Sequence, residues 1–423
     1  MGTFPGSMQK RRYYPTVLQL PEDDIIVLGG DYEVSELPQT IEVFDPASDS
    51  WVSVPASQDD FSDEPFCNVL YPTAHLLPGE GSSRGTIFVT GPYDYELATN
   101  PVQYNCDVGG TLKEVRTQRF DLPSTPSDFS APWQAGPVPD ISHGQPGGTP
   151  GALPERIENG SVVVVDCTSG TAKSRVIIAG GHRIFDNLQL TGNTQSIDDP
   201  QLAGAQWENV DALEDARWDA SFELLPGQRL LALGGRKPST TFPLLTPEIL
   251  ELTADPLTPE GKWATLADHQ IKRQYHSWAL LLPDARVLLA GGENTEQFPE
   301  DYRHAEIFTP PYAYHGIRPT LHRATPSRVH YGETHTIKVQ SIVGNGNFAF
   351  ELIRPGAMTH TVDFSQRLIE LEVDPDGDPD PKAFGVTWPP GPDVAPPGWY
   401  MLFAISSDGV PSVAKFVHIE EAP

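Results

Sequence analysis

Three times in this chain a proline stands eight residues ahead of a Gly-Gly pair that closes an apolar run. Leu20-Pro21 leads to Ile25-Ile26-Val27-Leu28-Gly29-Gly30, and Leu225-Pro226 leads to Leu230-Leu231-Ala232-Leu233-Gly234-Gly235. Leu282-Pro283 leads in the same way to Val287-Leu288-Leu289-Ala290-Gly291-Gly292. A weaker copy runs from Leu70-Tyr71-Pro72 through Leu77-Pro78 to Ile87-Phe88-Val89-Thr90-Gly91, and a degenerate one ends Arg175-Val176-Ile177-Ile178-Ala179-Gly180-Gly181. Adjacent copies lie 54 to 57 residues apart. Short apolar runs bounded by turn residues fit buried strands, and glycine just after a strand fits a positive φ or a close backbone approach.

Several copies continue into a charged-apolar strand and a tryptophan: Ile41-Glu42-Val43-Phe44-Asp45-Pro46 to Trp51, and Glu248-Ile249-Leu250-Glu251-Leu252 to Trp263. A small antiparallel sheet repeated at such spacing around an axis is a kelch-like β-propeller, with five recognisable blades here. The 43 prolines and 37 glycines imply many loops, and no long amphipathic helical period stands out. The expected class is all-β.

At 423 residues with 38% hydrophobic content the chain is long enough for two domains. The propeller is expected over residues 1–315. Past Ala305-Glu306-Ile307-Phe308-Thr309-Pro310-Pro311-Tyr312 a Pro-marked link at Arg318-Pro319 precedes short strands between turns. These are Thr334 to Val339, Phe348 to Ile353, Arg367 to Val373, Phe384 to Trp388, Trp399 to Ile405 and Val413 to Ile419. Residues 316–423 are therefore expected to form an immunoglobulin-like β-sandwich. Pro123 to Pro154 reads as a Pro/Gly-rich insertion on one rim of the propeller.

With 28 basic against 57 acidic residues the net charge is −29, which repels phosphate backbones and anionic surfaces, so neither nucleic acid nor membrane is an expected partner. No stretch approaches the roughly 18 apolar residues of a membrane span. Met1-Gly2-Thr3-Phe4-Pro5-Gly6-Ser7 lacks a signal-peptide apolar region, so the chain as written is expected in the cytoplasm. Cys67, Cys106 and Cys167 are too few and scattered for a disulfide framework and are expected as buried or free thiols. Asn159-Gly160-Ser161 is an isolated glycosylation sequon.

Counting back seven residues from the proline of each repeat gives Tyr14, Tyr71, Asp219 and His276. These side chains occupy equivalent places at the first strand of successive blades. That strand lies nearest the axis, so residues at matched height converge at one mouth of the central channel. Tyr275 points away by strand alternation unless the chain there is still in the loop entering the strand. Periodicity by itself is equally consistent with ordinary packing or turn roles for these residues.

Gln274-Tyr275-His276-Ser277 with Leu280-Leu281-Leu282-Pro283-Asp284, then Met358-Thr359-His360-Thr361-Val362 with Gln366-Arg367, resemble the copper radical oxidases, galactose oxidase and glyoxal oxidase. So do Gly398-Trp399-Tyr400-Met401-Leu402-Phe403 with Gly409-Val410-Pro411-Ser412-Val413-Ala414, and Met8-Gln9 through Tyr14-Pro15-Thr16. The resemblance implies one copper ion held by Tyr14 (equatorial and radical-forming), Tyr275 (axial and proton-accepting), His276 and His360. It implies oxidation of a primary alcohol, aldehyde or carbohydrate, with dioxygen reduced to hydrogen peroxide. Two imidazoles and a phenolate leave one equatorial position open on a tetragonal Cu(II) ion. A non-catalytic kelch-like binding module is the alternative from a different class.

The resemblance also brings a departure. In the family the radical tyrosine is joined through a thioether to a cysteine on an earlier blade, whereas only 13 residues precede Tyr14 here and none is cysteine. Cys67 is no positional match, so the family's tyrosyl-cysteine cofactor is not expected by position in this chain. Tyr32 stands near the place of the aromatic that stacks over that thioether in the galactose oxidase branch. Five blades against the family's seven lead to the expectation of a shortened N-terminus, and of secretion if the chain is so shortened.

Overall fold

The computed structural model describes residues 7–8, 12, 14–30, 41–54, 72–91, 117–124, 134–137, 160–183, 189–190, 192–237, 244–252, 261–292, 303–340, 346–374 and 380–422. Tyr32, Cys67, Tyr71, Cys106, Asn159 and most of Pro123 to Pro154 lie outside these. Among the described residues the secondary structure is strand throughout, apart from one 3-10 turn at Pro311–Tyr314.

Five sheets follow the five repeats. Blade one is Thr16–Gln19, Ile25–Leu28, Ile41–Asp45 and Ser50–Val54, paired antiparallel in that order. Blade two is Thr73–Leu77, Thr86–Gly91, Gln118–Asp121 and Gln134–Ala135, and blade three is Gly160–Asp166, Lys173–Ala179, Thr194–Asp198 and Glu208–Val210. Blade four is Trp218–Leu225, Arg229–Arg236, Glu248–Glu251 and Trp263–Thr265, and blade five shows Ser277–Leu281, Val287–Gly291 and Glu306–Phe308. The first strands are neighbours in chain order, blade one against two, two against three, three against four and four against five. This brings the residues at their starts side by side. The apolar faces that stack blade on blade include Leu18, Ile26 and Val43 against Leu76, Ile87 and Phe120.

In blades one, four and five an arginine fastens this stacking. Arg12 Nη2 lies 2.9 Å from Glu42 and Arg12 Nη1 donates to the Gly29 carbonyl at 2.7 Å. Arg217 repeats the arrangement with Glu248 and, at 3.2 Å, with the Gly234 carbonyl. Arg273 does so with the Gly291 carbonyl at 2.6 Å and with Glu306 at 3.9 Å. The carbonyl of the same arginine reaches the preceding blade, where Gly181 donates to Arg217 at 2.9 Å and Gly235 to Arg273 at 2.8 Å. This explains the glycine pair: a Cβ on Gly234, which has φ +64°, would meet the Arg273 carbonyl oxygen at 2.6 Å.

The C-terminal strands form two sheets. One contains Arg328–His330, Phe348–Arg354, Arg367–Glu370, Gly398–Ser406 and Lys415–Glu420, and the other Thr334–Lys338, Glu372–Asp374 and Ala383–Thr387. The first sheet does not stop at its own edge. Arg367–Glu370 pairs parallel with Gly160–Asp166, with Arg367 opposite Val163 and Glu370 opposite Asp166, so blade three and the C-terminal sheet form one nine-stranded sheet. The inner edge of blade three thereby has its backbone groups matched. Arg367 is fully buried at this junction and donates to the carbonyls of Leu76, Asp393 and Val394.

The junction also holds an acid pair. Glu351 is buried, accepts from Gly227 N–H at 2.7 Å, and sits across the strands from Glu370. Burial pushes its carboxyl up to about 8, with the Glu370 charge acting in the same direction and the backbone donors opposing. A folded value above the unfolded one means the native state keeps a proton that the unfolded chain releases near pH 4.3. Stability from this group is full below that pH, falls as pH rises toward about 8, and is lost above it. Glu223 and Asp363 are also pushed upward by burial, so the informative quantity is a difference between proteins. Glu351→Gln is expected to shrink the drop in urea midpoint between pH 5 and pH 9; an equal drop in both proteins would refute the assignment.

Candidate metal centre

The donor residues sit where strands begin. Tyr14 precedes Thr16–Gln19, and Tyr275 and His276 precede Ser277–Leu281. Tyr14, Asp219 and His276, equivalent in the repeat, share a left-handed backbone with φ of 57°, 53° and 65°. Such a conformation costs a non-glycine residue roughly 1–2 kcal/mol, and clusters of it mark functional sites. At His276 the left-handed residue interrupts strand alternation, so Tyr275 and His276 stack at 3.9 Å between ring centroids instead of diverging.

The extra donor has a traceable origin. Arg12 and Arg217 stand nine residues before their prolines, but Arg273 stands ten before Pro283. The blade-five arginine keeps its contacts with the glycine carbonyl and Glu306, so the added residue is taken up between it and His276. A turn does this, with Ser277 N–H donating to the Gln274 carbonyl at 2.8 Å. Blade five thus presents a tyrosine and a histidine where blades one and four present one side chain each.

The fourth donor comes from the C-terminal region. Met358–Thr359 and Val362–Asp363 form a two-stranded hairpin with His360 and Thr361 at its tip, at φ 49° and 68°. Thr361 N–H donates to the Ser277 carbonyl at 3.2 Å, docking the tip on the strand that follows Tyr275-His276. The His360 ring then lies 4.3 Å from that of His276, 4.6 Å from Tyr14 and 5.5 Å from Tyr275, centroid to centroid. The phenol oxygens of Tyr14 and Tyr275 are 3.2 Å apart. All four predicted side chains are therefore brought together.

Two imidazoles and two phenols within this span are a nitrogen and oxygen donor set, which suits Cu(II). Among the described residues no cluster of three or more His, Cys, Asp or Glu forms an alternative metal site. His360 hydrogen-bonds through Nδ1 to the Thr359 hydroxyl at 2.7 Å, which orients the ring. Burial, then the neighbouring His276, lowers the His360 pKa and favours the neutral imidazole that a metal requires. Asp219, the remaining described register residue, instead faces Arg236, with its carboxylate 2.7 Å from Nε and the guanidinium over the Trp218 ring at 3.8 Å. Cys167 is a buried free thiol in the core between blade three and the C-terminal sheets, pushed up to about 12 by burial.

Comparisons with known proteins agree with this picture. Residues 318–419 match the family described as galactose oxidase-like, Early set domain. Galactose oxidase of Gibberella zeae is 26% identical over 99% of this chain and 56% of its own length. Aldehyde oxidase GLOX of Vitis pseudoreticulata is 27% identical over 97% of this chain and 72% of its own length. The chain thus spans just over half the length of the galactose oxidase it matches. A solved structure described as a novel fungal alcohol oxidase of the AA5 family, in complex with copper, superposes with TM-score 0.73 at 24% identity. It covers 97% of this chain and 76% of its own, and the likeness is one of fold. Along nearly its whole length the chain is thus similar to galactose oxidase and to aldehyde oxidase GLOX, in line with its resemblance to the copper radical oxidases.

Sequence reasoning passed over two features. The arginine offset would have shown that Tyr275 is an inserted residue in a turn rather than a strand position. Thr359 carries no signal beyond its place beside His360.

Proposed function

We propose that this protein is a copper-dependent oxidase that converts a primary alcohol, aldehyde or sugar to its oxidised product while dioxygen becomes hydrogen peroxide. The observation that carries this reading is the convergence of Tyr14, Tyr275, His276 and His360 from blade one, blade five and the C-terminal hairpin. Those four side chains would hold the ion. Copper, when bound there, would supply the redox centre that amino-acid side chains lack.

The chain's own part is positioning and proton movement. Tyr275 and Tyr14 share a hydrogen bond at 3.2 Å, so a proton taken up at the Tyr275 oxygen has an immediate partner. Tyr275 is the proposed proton acceptor and Tyr14 the proposed radical-forming residue.

The full chain loaded with Cu(II) is expected to bind about one ion and to release peroxide from glyoxal, methylglyoxal or galactose. Absence of both copper binding and peroxide sinks the proposal. One tightly bound ion without turnover would leave the metal site standing and remove the oxidase.

A further inference from the structure

The hairpin that delivers His360 is anchored at its base by two side chains outside the donor set. Asp363 Oδ1 accepts three backbone N–H groups, from Ala357 at 2.9 Å, Ser365 at 2.9 Å and Gln366 at 3.1 Å. These donors lie on both flanks of the hairpin, so one carboxylate oxygen draws its two ends together. Three donated bonds to a carboxylate are charge-assisted and stronger than neutral ones.

Gln366 then fixes this closed base to the propeller. Its Nε2 donates to the Phe222 carbonyl at 2.9 Å, and its Oε1 accepts from Leu224 N–H. Phe222 and Leu224 belong to Trp218–Leu225, the first strand of blade four, and their outward N–H and C=O are the pair a neighbouring strand would engage. The carboxamide stands in for that strand, offering one donor and one acceptor. Gln366 is only 6% exposed, so neither bond competes with bulk water. One residue further on, Arg367 begins the strand that pairs with blade three.

The hairpin is therefore held at two heights. Its tip meets blade five through Thr361 and Ser277, and its base meets blade four through Gln366. His360 sits at the tip, next to the Thr361 anchor, in a strained left-handed backbone, which persists only where surrounding contacts over-determine it. We propose that Gln366 and Asp363 are positioning residues, which set the height and direction at which His360 enters the donor cluster. This rests on the copper reading above.

The test uses Gln366→Met, which keeps length but loses both bonds, and Gln366→Glu, which keeps the acceptor and sets a second oxygen against the Phe222 carbonyl. Asp363→Ala removes the clamp, whereas Asp363→Asn keeps one acceptor oxygen for the three N–H groups. Copper affinity by titration, the Cu(II) spin-resonance spectrum and amide exchange of the metal-free full chain are measured on each. Both Gln366 variants and Asp363→Ala should lose about tenfold or more in affinity, the size seen when a ligand's orienting partner is removed. They should also show one coordinating imidazole nitrogen fewer in the spectrum and faster exchange at the Thr361 amide. Asp363→Asn should restore most of the affinity and the spectrum. Wild-type affinity and spectrum in folded Gln366→Met or Asp363→Ala would overturn the proposal while leaving the copper reading intact. If the wild-type chain takes up no copper, that reading falls. The Thr361 amide then decides the anchoring, since wild-type protection in the variants overturns it and selective loss supports it.

Discussion

Replacing His360 by alanine is expected to weaken Cu(II) binding by on the order of 100-fold or more, beyond the range for loss of an outer-shell partner. The imidazole is the C-terminal region's contribution to a cluster otherwise built by blades one and five, 4.3 Å from His276 and 4.6 Å from Tyr14 between ring centroids. The substitution leaves the hairpin's anchors at Thr361, Asp363 and Gln366 in place, so folding should change little. Titration with Cu(II), alongside a thermal melt of the metal-free protein, separates the two effects. An affinity equal to wild type would exclude His360 from the site.

The largest expected loss of stability comes from Arg217→Met. Both members of the Arg217 and Glu248 pair are essentially excluded from solvent, and the guanidinium also binds the carbonyls of Gly234, Thr246 and Asp215. Removing the cation leaves Glu248 buried with only the N–H groups of Glu214 and Asp215. Breaking such a pair costs about 3–5 kcal/mol, against near neutrality when both partners are replaced by apolar groups. Denaturant unfolding of Arg217→Met should show a loss of that size. Adding Glu248→Met should recover part but not all of it, because two backbone donors then lose their acceptor. A single-variant loss under about 1 kcal/mol would mean the pair is far more hydrated than its burial implies.

Much of this architecture was legible in the chain because its periodicities are local. Each glycine pair closes a strand, and Thr334–Lys338, Phe348–Arg354, Ala383–Thr387 and Gly398–Ser406 fall where the alternating runs predict them. The run from Arg367 to Val373 reads as one strand but is two. Leu371 donates its N–H to the Phe350 carbonyl, and the flanking segments Arg367–Glu370 and Glu372–Asp374 enter different sheets. Hydrophobic pattern cannot report such a switch, since buried leucines and valines look alike on either side. The parallel pairing of Arg367–Glu370 with blade three is equally silent, because its partner lies about two hundred residues away and contributes no local signal. The donor set was recognisable through motif resemblance, whereas its geometry was not. A left-handed histidine at position 276 leaves no mark in composition, and only the offset of Arg273 betrays it.

The ring contacts among the four donors span almost the whole polypeptide, with Tyr14 and Tyr275 separated by 261 positions and His360 supplied later still. No partial translation product that ends before residue 360 contains the complete set. Closing loops of this length carries an entropic cost that must be met before the contacts give anything in return, which places site assembly among the slow, long-range steps of folding. Metal capture would then serve as a completeness check. On the copper reading, a chain would retain the ion only once Tyr14, the Tyr275-His276 pair and the His360 hairpin had all reached their places.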